Sequence, residues 1–474
     1  MQLSLEELQD LLVKQHQQIE ALEALVRELQ AENDRLKRQN KRQAAPFSKG
    51  APNPNPKKPG RKPRSENSGS SNFSFRQAPT EQEFTEPVVD VAVSEQACPD
   101  CGGALEHKGI ELATVTDIPK VVRPRVKAFR VSVCRCTACG KSVRGVHPEI
   151  ASDQYGASAH RVGQKAMAAA HLLHYDLGIP VRKAPLVLKW LCGISLSQGA
   201  ISQDALRRSR GAVGETYKQL RDEIKNSKRV HTDDTGWRIA GENAHLMAFD
   251  TDDVAVYQIR RRHRNEEVRE LIPSDYQGTM CTDRGRSYDA RQFESVKQQK
   301  CISHIHRSIA IVLENKQGEP REFAEELKKL LQEATGLWHG YHKHPTTLLN
   351  KAVFQWKAQR LQGRITHHLR DRQLDDKDNQ RLLNELGSHH DRGNLLRFLN
   401  DPSVEPTNNR AERALRPAVI ARKVSHCSKN TQGAEAFTAF ISVIRTLHKR
   451  GSNSPLEQFC QVLETGILPQ ALPP

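Results

Sequence analysis

The sequence has no stretch approaching the roughly 18 uninterrupted apolar residues that a membrane span requires. Nor does it open like an export signal, since Met1-Gln2-Leu3-Ser4-Leu5-Glu6-Glu7 is acidic and heptad-patterned where a signal is basic and then apolar. With neither feature, the chain is expected in a reducing compartment, a bacterial cytoplasm with the nucleoid at hand. There the ten cysteines read as metal ligands before disulfides. Acid is also missing locally: between Lys41 and Arg64 stand eight Lys/Arg and no Asp or Glu. Over the whole chain 72 Lys/Arg face 56 Asp/Glu, a net charge of +16. That excess favours a polyanionic partner, nucleic acid before an acidic membrane surface, although a merely soluble basic protein has the same balance. At 474 residues, two to four structural units are expected.

What is present begins with a heptad pattern over residues 1–40. Leu5, Leu12, Ile19, Val26 and Asn33 fall on one seam position, and Leu8, Gln15, Leu22, Leu29 and Leu36 on the other. Ile or Val at the first seam with Leu at the second favours a two-stranded parallel coil, and a single buried Asn sets its register. Glu32 and Lys37 are placed to pair across such a homodimer; the alternative is an amphipathic helix packed on its own chain. Residues 41–90, rich in Pro, Ser, Asn and Gly, cannot bury a core and read as an extended basic linker. Arg61, Lys62 and Arg64 within it either follow DNA phosphates or a minor groove, or form a solvated tether.

Two cysteine pairs follow within residues 91–150, Cys98-Pro-Asp-Cys101 and Cys136-Thr-Ala-Cys139, each succeeded by glycine. This spacing lets both thiolates of a pair reach one tetrahedral Zn²⁺, with the glycine permitting the turn beneath. The 34 residues between the pairs alternate apolar and polar at Val121, Val131 and Val133, which predicts hairpin strands between the knuckles and hence a zinc ribbon holding one structural Zn²⁺. No thioredoxin-like βαβ pattern supports redox chemistry instead. Residues 151–225 read as helical. Helices over Val181–Leu191 and Ser197–Arg208, separated by Cys192-Gly193-Ile194, have helix-turn-helix proportions, with Ser197 as N-cap and Gln198, Ser202, Gln203 and Arg207 available to face DNA. Such helix pairs also occur in any α-helical domain.

From Lys228 the texture changes to short strands: Val230–Ile239, Ala244–Phe249 and Val254–Ile259 form a predicted antiparallel meander. A helix at Asn265–Leu271, a fourth strand at Gly278–Asp283, a helix around Tyr288–Phe293 and a fifth strand near Lys300–His304 complete the order βββαβαβ, that of a ribonuclease-H-like fold. Asp233 lies on the first strand and Asp283 at the end of the fourth, neighbours in this topology, so their side chains can converge. Two ions about 4 Å apart need bridging acids of this kind, one ion activating the attacking oxygen and the other stabilising the leaving one. The oxygen ligands suit Mg²⁺. A third acid, Glu412, sits in Asn408-Asn-Arg-Ala-Glu412-Arg-Ala-Leu-Arg-Pro417, where the Asn pair starts a helix and Pro417 ends the run. Arg410, Arg413 and Arg416 recur every three residues and could line a phosphate track. Taken singly, any of these acids would more often be a surface residue or a cap; their strand–strand–helix order argues otherwise.

The segments His231-Thr-Asp-Asp-Thr235, Thr282-Asp283-Arg-Gly285, Cys301-Ile-Ser-His304-Ile-His-Arg307 and Asn408–Pro417 resemble the DDE transposases of the insertion-sequence-66 family. That family also has an N-terminal zipper, a basic linker, a Cys-x-x-Cys region and a downstream helical segment, so the resemblance spans nearly the whole chain. It implies a multidomain α/β protein with a ribonuclease-H-like core, a metal-dependent transposase using two Mg²⁺ (or Mn²⁺) ions, and binding to terminal inverted repeats and target DNA. Asp233, Asp283 and Glu412 inherit the catalytic and metal-binding roles, and accessory proteins of the same element are implied partners. The chain departs from the family at Asp234, where many relatives carry Glu, and at Arg284-Gly285, where they often carry Gly-Tyr.

The interval of 129 positions from Asp283 to Glu412, against 50 between the aspartates, is too long for a bare core. Residues 307–400 therefore read as a helical insertion between a first catalytic part (226–306) and a last catalytic helix with C-terminal helices (401–474). Arg260, Arg262, His304, Arg307, Arg422 and Lys423 are further candidate DNA contacts. The Arg260–Arg264 run is equally a solvated face, and His304 equally a hydrogen-bonded core residue. Two other readings remain: a non-catalytic zinc-containing DNA-binding regulator, and a ribonuclease-H-like nuclease without strand transfer.

Overall fold

The computed structural model describes residues 79–469, with short gaps at 95–96, 108, 120–121, 157–158, 315, 317, 345–346, 371–372 and 452–453; before residue 79 it describes only Gln18, Leu22, Val26, Leu29 and Gln30. The chain divides into two compact units, residues 1–118 and 119–474.

In the first unit those five residues are helical and exposed, with Leu22, Val26 and Leu29 at 61%, 50% and 60% of full exposure. The other heptad positions, and Arg61, Lys62 and Arg64, lie outside the described residues. A single 3₁₀ turn, Glu81–Glu83, is closed by Thr80 and Glu83, whose carboxylate accepts the Thr80 N–H at 2.8 Å.

The second unit begins with a hairpin of β1 (Val133–Arg135) and β2 (Ser142–Arg144), paired Val133 to Arg144. This corrects the expected strands between the knuckles, because the pair brackets Cys136–Cys139 and the described residues of 102–132 carry no strand. Alternation makes a strand only where there is a face to bury, and Val126 is 78% exposed. Four helices follow: α1 (Gln164–Tyr175), α2 (Ala184–Cys192), α3 (Gln198–Arg210) and α4 (Ala212–Lys225). Gly193, at φ 64°, ends α2 in the left-handed region that favours glycine. Ser197 caps α3, its hydroxyl accepting the Ala200 N–H at 3.1 Å. Asp204 anchors α3 inward, bonding His171 Nε2 at 2.8 Å and Arg208 Nε at 2.7 Å. Gln198, Gln203 and Arg207 stay on its exposed side.

The sheet comprises β3 (Arg229–Ile239), β4 (Glu242–Asp250), β5 (Ala255–Arg260), β6 (Thr279–Thr282) and β7 (Lys297–Lys300), in the order β5-β4-β3-β6-β7. β3, β4 and β5 are antiparallel neighbours, whereas β6 joins β3, and β7 joins β6, in parallel. The helix α5 (Asn265–Arg269) links β5 to β6. The helix expected around Tyr288–Phe293 is only a 3₁₀ turn, Arg291–Phe293. Tyr288 and Phe293 are buried there in the main core, so a compact loop serves where a helix was foreseen. The fifth strand also ends earlier than expected, because the chain turns at Cys301 into helix α6 (Ile302–Glu314), which carries His304 and Arg307.

Beyond α6 come α7 (Glu319–His342), α8 (Leu348–Leu369), α9 (Lys377–Asp391) and the short α10 (Arg397–Asn400). Ile305, Leu327, Leu331, Leu361, Ile365 and Leu386 pack these helices into a second core. The chain re-enters the main core through α11 (Asn409–Ser425), α12 (Thr431–Lys449) and α13 (Pro455–Thr465). Pro417 does not end α11, as expected, but lies inside it. Proline deletes one N–H donor from a helix, and the packing of α11 on β3 and β4 carries the helix through.

Both sheet edges are covered. On β5, Tyr257 N–H donates to Ser442 Oγ at 2.8 Å and Ala255 N–H to Thr446 Oγ1 at 3.1 Å, both hydroxyls belonging to α12. On β7, Lys300 N–H donates to Asn394 O at 2.8 Å and Arg397 Nε to Gln298 O at 3.0 Å. An unpaired strand edge is a template for association, and here helix hydroxyls and the insertion consume it.

Candidate active site

The parallel register of β3 and β6 pairs His231 with Cys281. Carrying it on by two residues sets Asp233 level with Asp283, on adjacent strands. Asp233 Oδ1 accepts the Asp234 N–H at 2.9 Å, and Asp283 Oδ1 accepts the Gly285 N–H at 2.8 Å. A Cβ at 285 would stand 2.9 Å from Asp283 Oδ1 and 3.2 Å from the Tyr288 ring, so a side chain there would displace one of them.

Glu412 enters from the first turn of α11. Asn408, immediately before that helix, is fully buried and donates its amide to Thr232 O at 2.8 Å, while its N–H donates to Cys301 Sγ at 3.1 Å. One residue thus pins the helix start to β3 and to the start of α6. His304 Nε2 and Arg307 Nη2 on α6 stand 3.9 Å and 3.6 Å from Glu412 Oε1. Burial, followed by the Arg307 charge, holds the His304 imidazole below its ordinary range and so keeps it neutral. Glu405, the nearest rival to Glu412, is taken up by Arg410, with Oε1 2.7 Å from Nη2.

Asp233 is the electrostatic centre of this group. Burial, then the charges of Asp283 and Asp234, with Glu412 adding to them, push its carboxyl up to about 8. Among the described residues neither Asp233 nor Asp283 makes an ion pair, while Glu412 has Arg307 beside it. An all-oxygen set of that kind fits a hard divalent cation. The oxygens of Asp233, Asp283 and Glu412 do not all come within 4.8 Å of one another; the group that does, among the described residues, is Asp234, His245 and His263.

Two neighbours had no role assigned from the sequence. Lys300 is fully buried, its Nζ 2.7 Å from Asp289 Oδ1 and 3.3 Å from Thr282 Oγ1, directly before Asp283. Burial lowers the Lys300 ammonium, against the pull of Asp289. Arg284 reaches Glu385 Oε1 of α9 at 2.8 Å and so ties the site loop to the insertion. No motif marks Lys300, and the motif that contains Arg284 does not reveal its partner; the fold brings both here.

The candidate DNA contacts differ in their partners and exposure. Arg260 is bonded to Glu270 at 2.8 Å, Arg410 to Glu405, and Arg422 to Thr235 Oγ1 at 3.1 Å. Arg207 pairs with Asp204 at 2.5 Å. Arg262, Arg413, Arg416 and Lys423 are exposed, and Arg307 projects from α6 beside Glu412.

Each cysteine knuckle has the same local form. Gly102 and Gly140 sit at φ 72° and 71°, and donate their N–H groups back to Cys98 O and Cys136 O, each at 2.9 Å. Backbone N–H groups of Asp100 and Cys101 lower the Cys98 thiol, and those of Cys139 and Ala138 lower Cys136. A lowered thiol favours the thiolate that zinc ligation needs. Cys134, on β1, is exposed and outside either turn.

No curated protein matches the chain. The family model described as "Transposase IS66 family" matches residues 160–436, more than half of the sequence, and takes in the helices α1–α4, the whole sheet, the insertion and Glu412. The chain therefore belongs to the IS66 transposase family.

Proposed function

We propose that the protein is a metal-dependent DNA transposase of the DDE type, with Asp233, Asp283 and Glu412 as its catalytic carboxylates. It would bind the terminal inverted repeats of its element, cleave there, and transfer the freed 3′-hydroxyl ends to target DNA. The observation that carries this reading is that the β3–β6 register and the Asn408 anchor direct acids from β3, the end of β6 and the first turn of α11 toward one place, and the burial and mutual charge there raise the Asp233 carboxyl. The antiparallel β3-β4-β5 meander extended in parallel by β6 and β7 is the sheet expected of a ribonuclease-H-like core.

When bound, the two divalent ions supply a deprotonated attacking oxygen and a stabilised leaving oxygen. Asp233 and Asp283 would hold them from adjacent strands, and Glu412 would complete the set from α11. Asp233 has to surrender its proton on loading. Asn408 keeps Glu412 aimed by binding α11 to β3, while neutral His304 and cationic Arg307 flank that carboxylate. Arg307, Arg413, Arg416 and Lys423 offer positive charge to phosphates around the cleft, and the exposed side of α3 offers a reading surface. The N-terminal heptads support a dimer, and the cysteine knuckles support structural zinc.

The test is strand cleavage and joining by the full chain with Mg²⁺ or Mn²⁺, element-end oligonucleotides and a plasmid target, with and without accessory proteins of the same element. Loss of both reactions in Asp233→Asn, Asp283→Asn and Glu412→Gln, with end binding retained, is expected. Activity unchanged in all three variants would sink the assignment. Binding without cutting in the wild type would favour a regulator, and cutting without joining a nuclease.

A further inference from the structure

Asp234 follows Asp233 on β3, so the pleat turns it to the opposite face of the sheet from the carboxylate group above. There it meets two histidines from other segments. His245, on β4, pairs across the ladder with Gly236, two residues on from Asp234 and on the same face. His263 follows β5. His245 Nδ1 lies 3.0 Å from Asp234 Oδ2, and His263 Nδ1 lies 3.1 Å from Asp234 Oδ1. One candidate ligand atom from each of the three residues falls within 4.8 Å of the others.

From this geometry we propose that Asp234, His245 and His263 form a second metal site, distinct from the catalytic carboxylates, for a borderline ion of the Zn²⁺ class. Two imidazoles and one carboxylate are the ligand set that prefers Zn²⁺ over Mg²⁺, and three protein ligands leave a further position for water. Ligand atoms about 2.0–2.2 Å from one tetrahedral ion stand about 3.3–3.6 Å apart, a little more than the two separations seen here.

The surroundings support ligation. Ser287 Oγ is 3.3 Å from His263 Nε2, so the outer nitrogen has a partner that holds the ring with Nδ1 facing Asp234. Tyr288, fully buried, lies edge-on to His263 at 5.4 Å and backs the site with apolar surface. The side chains are 27%, 39% and 12% exposed for Asp234, His245 and His263, open enough for an ion to enter. The plain alternative is an Asp–His hydrogen-bond cluster with no metal. In the proposed arrangement the ion ties β3, β4 and the segment after β5 together on the reverse side of the strand that carries Asp233.

The full-length protein is stripped with chelator and titrated with Co²⁺, a spectroscopic stand-in for Zn²⁺. Thiolate-bound Co²⁺ shows sulfur-to-metal charge transfer, whereas a nitrogen–oxygen site shows only d–d bands, so the cysteine knuckles are told apart from this cluster. We expect one equivalent without charge transfer that resists excess Mg²⁺ and is displaced by Zn²⁺. It should persist in Asp233→Asn, and disappear in His263→Gln and in His245→Gln, each checked for native circular dichroism. Ser287→Ala should weaken it by about tenfold through loss of ring orientation. Equal non-thiolate Co²⁺ uptake by wild type and both histidine variants, or its loss in Asp233→Asn, overturns the proposal. Because the readout is metal binding, it stands or falls independently of strand transfer.

Discussion

Asp233 concentrates the chemistry of a single residue. Its carboxyl is raised from 3.8 to about 8 by burial and by Asp283, Asp234 and Glu412. The folded chain therefore holds a proton that the unfolded chain has released between those two values. Stability without metal should fall as pH rises through this window and level off above about 8. Thermal melts in chelator from about pH 5 to about pH 9 should show that slope in wild type and lose most of it in Asp233→Asn. Divalent ions should restore stability most at the alkaline end, where the proton no longer competes. Gly285 supplies the second residue-level expectation. The methyl group of Gly285→Ala would press on Asp283 Oδ1 and on Tyr288, so cleavage should drop about 100-fold, roughly 3 kcal/mol of transition-state stabilisation, with DNA binding little changed. Cleavage kinetics beside a filter-binding assay would check the split. The Thr282-Asp283-Arg-Gly285 motif was legible as residues, but the reason for its glycine was not, because it lies in a 2.8 Å N–H bond and a ring that arrives from outside the motif.

Among the elements, α11 decides whether the third acid arrives. Its start depends on Asn408, whose buried amide reaches Thr232 O. Asn408→Ala leaves that carbonyl without its partner, at a cost of about 1–3 kcal/mol. A lower Tm should accompany a loss of cleavage larger than the loss of end binding. A retained Tm with unchanged cleavage would show that Glu412 needs no such anchor. β5 makes the complementary case. Its outward N–H groups end on Ser442 and Thr446, so Ser442→Ala and Thr446→Val should each destabilise by about 1–3 kcal/mol and raise aggregation on partial heating. Periodicity located these elements well: the strands near 230–239, 244–249 and 254–259 and the helix pair around Gly193 appear within a few residues of expectation. It failed where burial overrode local pattern, at the 3₁₀ turn Arg291–Phe293, and where Pro417 continues a helix held by the sheet beneath.

For the molecule as a whole, charge and self-association are the properties to test. The +16 balance predicts end binding that weakens steeply with salt, each phosphate contact contributing about −0.9 to the slope of log affinity against log salt. Replacing exposed Arg413 and Arg416 together by Gln should flatten that slope by about two units, measured by fluorescence anisotropy across a salt series. Leu22, Val26 and Leu29, helical and largely exposed in the single chain, should be covered in an assembly. Leu22→Asp with Leu29→Asp should shift sedimentation from dimer to monomer while leaving single-turn cleavage chemistry in place. No helix among the described residues is long and apolar enough to cross a membrane.

The sequence by itself determined the chain's class: charge, the order of strands and helices, the paired cysteines, and which acids stand at strand ends and a helix start. These are local or compositional properties, set by side-chain period, turn chemistry and residue type. Tertiary structure alone decided which of those acids act on one another. The parallel register of β3 and β6 brings Asp233 level with Asp283 across 50 positions, and Asn408 returns Glu412 across 129 more. It also decided what Asp234 meets. Adjacent strand residues point to opposite faces, so where Asp233 stands among carboxylates, Asp234 stands between His245 and His263, which come from other segments of the chain.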